Sequence, residues 1–122
     1  MERAEFESLV EQALSALPQE LQESIENVAV VVEDWPSRSQ LRDAGIGRRE
    51  GLLGLYEGIP HTERGVNYNL VAPDRITLFQ RPIELFCRSR EEVVEEIGRV
   101  VRHELAHHFG ISDATLDEIE GE

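Results

Sequence analysis

The sequence predicts an α+β fold in which helices pack on a small sheet of three or four strands. Three observations support this prediction: helical apolar patterns at the N-terminus, short apolar runs in the middle, and a long helical pattern near the C-terminus. The predicted order, two helices followed by three strands and two more helices, points to α+β. The length of 122 residues predicts one domain over residues 1–122.

The first 25 residues predict two helices. Apolar residues recur at helical spacing between Phe6 and Leu17, which predicts an amphipathic helix over residues 3–17. Pro18 ends that helix and favours the start of a second, short helix that runs through Ile25.

Three apolar runs in the middle of the chain predict strands, at residues 28–32, 52–56 and 76–79. The first run is almost entirely valine, which is typical of a buried strand. The intervening residues 34–49 and 58–74 are rich in residues that favour turns, so both segments are predicted to be loops.

The C-terminal third predicts one short helix and one long helix. Pro82 can open the short helix, which is predicted to run to about residue 87. Ser89 followed by Glu92 is a capping-box pattern, and it predicts a helix over residues 90–109 that Gly110 ends.

Composition excludes several classes of function. The formal net charge is −13, with the excess acid in residues 1–34 and 111–122, and such a charge disfavours both nucleic-acid binding and binding to anionic membranes. No run of about 18 apolar residues exists, so no transmembrane helix is predicted. The single cysteine, Cys87, cannot form an intrachain disulfide and favours a cytoplasmic location. All twelve basic residues are arginine, which excludes lysine nucleophiles.

The strongest functional signal is the H-E-x-x-H motif at residues 103–107. Residues four apart share one helix face, so His103 and His107 are predicted to bind one zinc ion. Glu104 is placed to activate a zinc-bound water as a general base. The alternative is that Glu104 pairs with a buried arginine and that both histidines are ordinary surface residues.

The motif continues to Asp113, giving H-E-x-x-H-x-x-G-x-x-D. A left-handed turn at Gly110 would bring the Asp113 carboxylate round as a third metal ligand. Two histidines and one aspartate leave a fourth position for water, which is typical of a catalytic zinc site. The alternative role for Asp113 is to cap a last short helix.

Four further residues are candidates for supporting roles. The helical stripe predicts that His108 is a buried core histidine, with orientation of a metal ligand as its alternative role. His61, Tyr56 and Tyr68 are candidates for stabilising an oxyanion in the transition state, and the sequence does not rank them.

The chain resembles the minimal zincin-like metallopeptidase family, small bacterial proteins that carry H-E-x-x-H-x-x-G-x-x-D. The similarity extends beyond the motif to residues 52–58 and 73–79, and it covers most of residues 28–116. The resemblance implies a reduced zincin fold, in which a small sheet lies across the active-site helix. It also implies that His103, His107 and Asp113 bind zinc and that Glu104 is the general base.

These observations predict a zinc-dependent peptidase with one Zn²⁺ per chain, acting on a peptide or an unfolded protein. The substrate is expected to lie along an exposed strand edge, formed by residues Leu52, Leu53, Leu55 and Tyr56. The alternative is a zinc-containing module that binds peptides or proteins with little or no turnover. A third hypothesis, a metal-dependent endoribonuclease, is disfavoured by Glu104, by Asp113 and by the net negative charge.

Overall fold

The computed structural model describes residues 1–58 and 74–109. Within them the helices and strands follow in the order α1 Arg3–Ser15, α2 Gln19–Ile25, β1 Val28–Glu33, α3 Arg38–Ala44, β2 Gly54–Glu57, β3 Asp74–Phe79, α4 Gln80–Leu85 and α5 Arg90–Phe109. A single 3-10 turn, Arg49–Gly51, precedes β2. The predicted α+β fold with a small sheet is therefore confirmed.

The three described strands form one mixed sheet in the order β1-β3-β2. β1 runs parallel to β3, and β2 runs antiparallel to it. Ile76 at the centre of β3 lies between Val30 of β1 and Tyr56 of β2, and its side chain is fully buried. Within the described residues, β1 and β2 are thus the two edges of the sheet.

Helix α5 lies at the centre of the fold, because it contacts α1, α2, α4 and both β2 and β3. The apolar stripe that the sequence predicts on this helix is the face that is buried. Its buried members are Val93, Ile97, Val100, Val101 and Leu105. Burial of this stripe against the sheet and α1 fixes the direction in which the opposite side chains of α5 point.

The N-terminal helix is held to the sheet by Arg3. The guanidinium donates to the Gln80 side chain at 3.0 Å, to the Val32 carbonyl at 2.9 Å and to the Asp34 carboxylate at 2.9 Å. Gln80 is fully buried, so its amide oxygen needs this donor. Arg3 therefore connects α1 to both β1 and α4.

The prediction that residues 34–49 form a loop is wrong for residues 38–44, which form α3. Ser37 Oγ accepts from the Gln40 backbone N–H, and the Gln40 side chain accepts from the Ser37 backbone N–H. This capping box stabilises the first turn of the helix. The sequence does contain this helix start signal, Ser37 followed by Gln40. The many turn-favouring residues around it led to the prediction of a loop.

Several element boundaries differ from the prediction, and α1 ends at Ser15, earlier than predicted. β2 begins at Gly54, so Leu52 and Leu53 precede the strand, and Leu52 is buried. β3 begins earlier than predicted, at Asp74. α4 begins at Gln80, which places Pro82 within the first turn, where a missing N–H costs no intrahelical hydrogen bond. Among the described residues, no helix is both long enough and apolar enough to cross a bilayer.

Candidate active site

The last two turns of α5 carry the H-E-x-x-H motif. The helix begins where predicted, and Ser89 Oγ accepts from the Glu92 backbone N–H at 3.1 Å. His103 and His107 are both exposed, and their ring centroids lie 6.5 Å apart. The helix therefore presents two imidazoles side by side on one surface.

Glu104 is half-buried and connects α5 to the edge of the sheet. Its Oε1 atom accepts a hydrogen bond of 2.9 Å from the backbone N–H of Tyr56 in β2. No arginine in the described part of the chain forms an ion pair with Glu104, contrary to the structural alternative that the sequence leaves open. Within the described residues, a backbone amide thus holds this carboxylate.

Tyr56 makes three separate contacts at the site. Its backbone N–H binds Glu104, its hydroxyl donates to Asp74 Oδ2 at 3.1 Å, and its ring stacks on His108. Burial, together with the hydrogen bond to Asp74, raises the pKa of Tyr56 to about 12. The Tyr56 hydroxyl is therefore protonated at neutral pH, and its proton is directed at Asp74.

The prediction that His108 is a buried core histidine is wrong, because its side chain is exposed. The ring lies 3.7 Å from that of Tyr56, with 14° between the two planes. Leu105, one turn earlier, occupies the core-facing position and is fully buried. The neighbouring Phe109 is also exposed, so the last turn of α5 extends beyond the core.

Gly54, for which the sequence predicts no special role, determines how closely α5 approaches β2. A Cβ atom at Gly54 would lie 2.5 Å from Val100 Cγ1, closer than any real contact. The missing side chain lets the helix pack directly on the strand, and this brings Glu104 within hydrogen-bond distance of Tyr56. Glycine inside a strand pattern is a recognised sign of such a close approach.

The motif residues open into a cavity of about 420 Å³. One wall is formed by His103, Glu104, His107, His108 and Tyr56, and the other described residues that line it are Asp43, Ala44, Ile46, Leu52, Gly54 and Leu55. Of the residues predicted for the substrate edge, Leu53 does not line this cavity. Asp43 and Ala44 of α3 also line the cavity, and the sequence did not predict this because it predicted a loop in place of α3.

Three predicted site residues, Asp113, His61 and Tyr68, lie outside the described residues. Within residues 1–58 and 74–109, no group of three or more His, Cys, Asp or Glu residues is arranged to hold a metal ion. The described part of the motif thus supplies two imidazoles, and the third ligand stays a prediction.

Comparison with known families gives a match over most of the chain. The family model of the zincin-like metallopeptidases matches residues 25–122, which include the complete motif and all three strands. The chain belongs to the zincin-like metallopeptidase family. A search of curated proteins gives no match to the chain.

The two exposed histidines suit the metal that zincins bind. Zinc accepts imidazole nitrogen, and residues four apart on a helix have Cβ atoms about 5–6 Å apart, so both rings can reach one ion. Among the described residues, neither His103 nor His107 is engaged in a hydrogen bond, which leaves their ring nitrogens available. On donor chemistry, the residues of this zincin therefore fit a zinc ion.

Proposed function

We propose that this zincin is a zinc-dependent peptidase. His103 and His107 hold the metal, Asp113 supplies the third ligand, and Glu104 is the general base. The observation that carries the proposal is the placement of Glu104 beside both histidines in one cavity, with its carboxylate held by the backbone of an edge strand.

The hydrogen bond from Tyr56 prepares Glu104 for proton transfer. The donor at Oε1 fixes the orientation of the carboxylate, while Oε2 makes no hydrogen bond within the described residues. When bound, zinc would polarise the scissile carbonyl and lower the pKa of a water molecule. Glu104 then accepts a proton from the attacking water at Oε2 and passes it to the leaving amine.

An extended peptide substrate would add to the outer edge of β2. This strand is an edge within the described sheet, and Gly54, Leu55 and Tyr56 all line the cavity. Main-chain pairing with a strand edge orients a peptide without regard to its sequence. The Tyr56 N–H points away from β3 and toward Glu104, which places the outer edge beside the candidate base.

The substitution Glu104→Gln tests the proposal most directly. Glutamine keeps the shape and can still accept from the Tyr56 N–H, but it cannot take a proton from water. We expect an unchanged fold and metal content, with hydrolysis of an unfolded protein reduced by roughly 10²- to 10⁴-fold. Elemental analysis, melting temperature and turnover are measured on the same preparation.

The matched control is Glu95→Gln, which removes an exposed carboxylate from the same helix and should leave turnover unchanged. Retained activity in a folded, zinc-loaded Glu104→Gln protein would end the assignment of Glu104. A zinc-loaded wild type that hydrolyses no peptide would instead support the binding module. Absence of metal uptake would refute both.

A further inference from the structure

The C-terminal turn of α3, with Ile46 directly after it, forms one wall of the cavity. Gly45 has a φ of 71°, the left-handed conformation that ends many helices. The Gly45 N–H donates to the Arg42 carbonyl, and the Ile46 N–H donates to the Leu41 carbonyl at 2.9 Å. This Schellman arrangement reverses the chain directly after the helix, so that Ala44 and Ile46 both face the cavity.

Contacts within the protein hold this wall in place without involving the metal ligands. Gln40 of α3 donates to Glu57 Oε1 at the end of β2, at 3.4 Å. On the other side, Ile46 Cγ2 lies 3.3 Å from the position that a Cβ atom on Gly51 would occupy. The wall is therefore attached, through Gln40, to the same strand that carries Tyr56.

The lining has an uneven chemistry. Away from the histidines and Tyr56, four of its side chains are aliphatic: Ala44, Ile46, Leu52 and Leu55. Among the described lining residues, the charged side chains are the carboxylates of Asp43 and Glu104, and none is an arginine. Such a lining favours an apolar group.

We propose that this pocket binds an aliphatic side chain of the substrate, next to the peptide bond that is cleaved. The inference rests on the proposed peptide substrate and adds its specificity. The cavity volume of about 420 Å³ suits one large side chain with the adjoining main chain, since pockets for small ligands span about 300–1,000 Å³. Ile46 is the specificity-determining residue, because it belongs to the wall and not to the motif.

Binding of short peptides to the zinc-loaded Glu104→Gln protein tests this proposal without turnover. The probes are fluorescently labelled five-residue peptides. Their central residue is glycine, leucine or aspartate, and the other four residues are glycine. We expect the leucine peptide to bind at least about tenfold more tightly than the glycine peptide, and more tightly than the aspartate peptide. Introducing Ile46→Asp into the Glu104→Gln protein should abolish the preference for the leucine peptide over the glycine peptide. The metal content should stay the same.

The matched control is Leu85→Asp, which places the same charge at a residue that is 61% exposed on α4 and outside the cavity. This variant should keep the preference for leucine. Equal binding of the leucine and glycine peptides, or equal loss in both aspartate variants, would overturn the pocket assignment. A protein that prefers leucine but hydrolyses no peptide would refute the proposed peptidase alone, and cleavage without preference would refute only the pocket.

Discussion

Tyr56 serves the site through two chemically different parts. Its backbone N–H holds Glu104, whereas its hydroxyl holds Asp74 at the start of β3. Because any residue except proline supplies the N–H, substitutions of the side chain leave the contact with Glu104 in place. The side chain can therefore be studied by itself.

We predict that Tyr56→Phe reduces the dependence of stability on alkaline pH. The folded state raises the pKa of Tyr56 to about 12, so the folded protein keeps a proton that the unfolded chain releases near pH 10. The associated stability is fully present below pH 10 and is lost as the pH rises toward 12. Urea unfolding of metal-free protein at pH 9, 10 and 11 should show a steeper decline for wild type than for Tyr56→Phe.

The other tyrosine, Tyr68, is present in both wild type and Tyr56→Phe. Its ionisation therefore does not contribute to the difference between their pH dependences. Identical slopes for wild type and Tyr56→Phe would contradict the pKa assignment. A lower stability of the variant at every pH, with no change in slope, would report only the lost hydrogen bond to Asp74.

Individual residues differ in how well the sequence predicts their roles. The spacing of His103 and His107 was sufficient to place both on one helix face. The partner of Glu104 was not predictable, because a backbone amide carries no signature in the sequence. The sequence wrongly predicts that His108 is buried, because the helical stripe continues in the sequence after α5 has passed the edge of the core.

At the scale of elements, the site depends on the distance between α5 and β2. We predict that Gly54→Ala destabilises the protein by about 1–3 kcal/mol, because the new methyl group would overlap Val100 Cγ1. Separation of the helix from the strand would also stretch the hydrogen bond between Glu104 and Tyr56. Turnover should therefore fall more than the folded fraction does.

Removing the obstructing methyl groups provides the control for that substitution. The double variant Gly54→Ala with Val100→Ala should be more stable than the two single effects predict, since each change compensates for the other. Melting temperature and turnover are measured for wild type, the two single variants and the double variant, which together form a double-mutant cycle. Strict additivity would indicate that the helix does not rest on Gly54.

Elements with strong periodicity were predictable, and the element that completes the cavity was not. The stripe on α5 and the valine run of β1 each bury one face, and burial produces the pattern. Helix α3 buries none of its described residues, so it has no apolar stripe to detect. Its signals were local, namely the Ser37–Gln40 capping box and the left-handed Gly45.

At the scale of the whole molecule, the two edges of the sheet differ in chemistry. β2 lies beside the cavity, whereas β1 borders a groove formed with α1. Five half-buried apolar residues, 28–32, form nearly all of β1. Glu7 and Glu11 of α1 line the same groove, so a valine-rich edge is flanked by carboxylates.

We predict that this edge makes colloidal stability depend on ionic strength. An apolar edge strand is a template for pairing with a second copy, and here the acids repel any copy that approaches. Salt shortens the range of that repulsion to about 10 Å at 0.1 M and about 3 Å at 1 M. Sedimentation velocity should detect self-association that increases with sodium chloride, and Val31→Lys should suppress it at every concentration. Solubility that is insensitive to salt would mean that β1 is protected by something other than charge, and the acidity of the N-terminal helix would then need a different explanation.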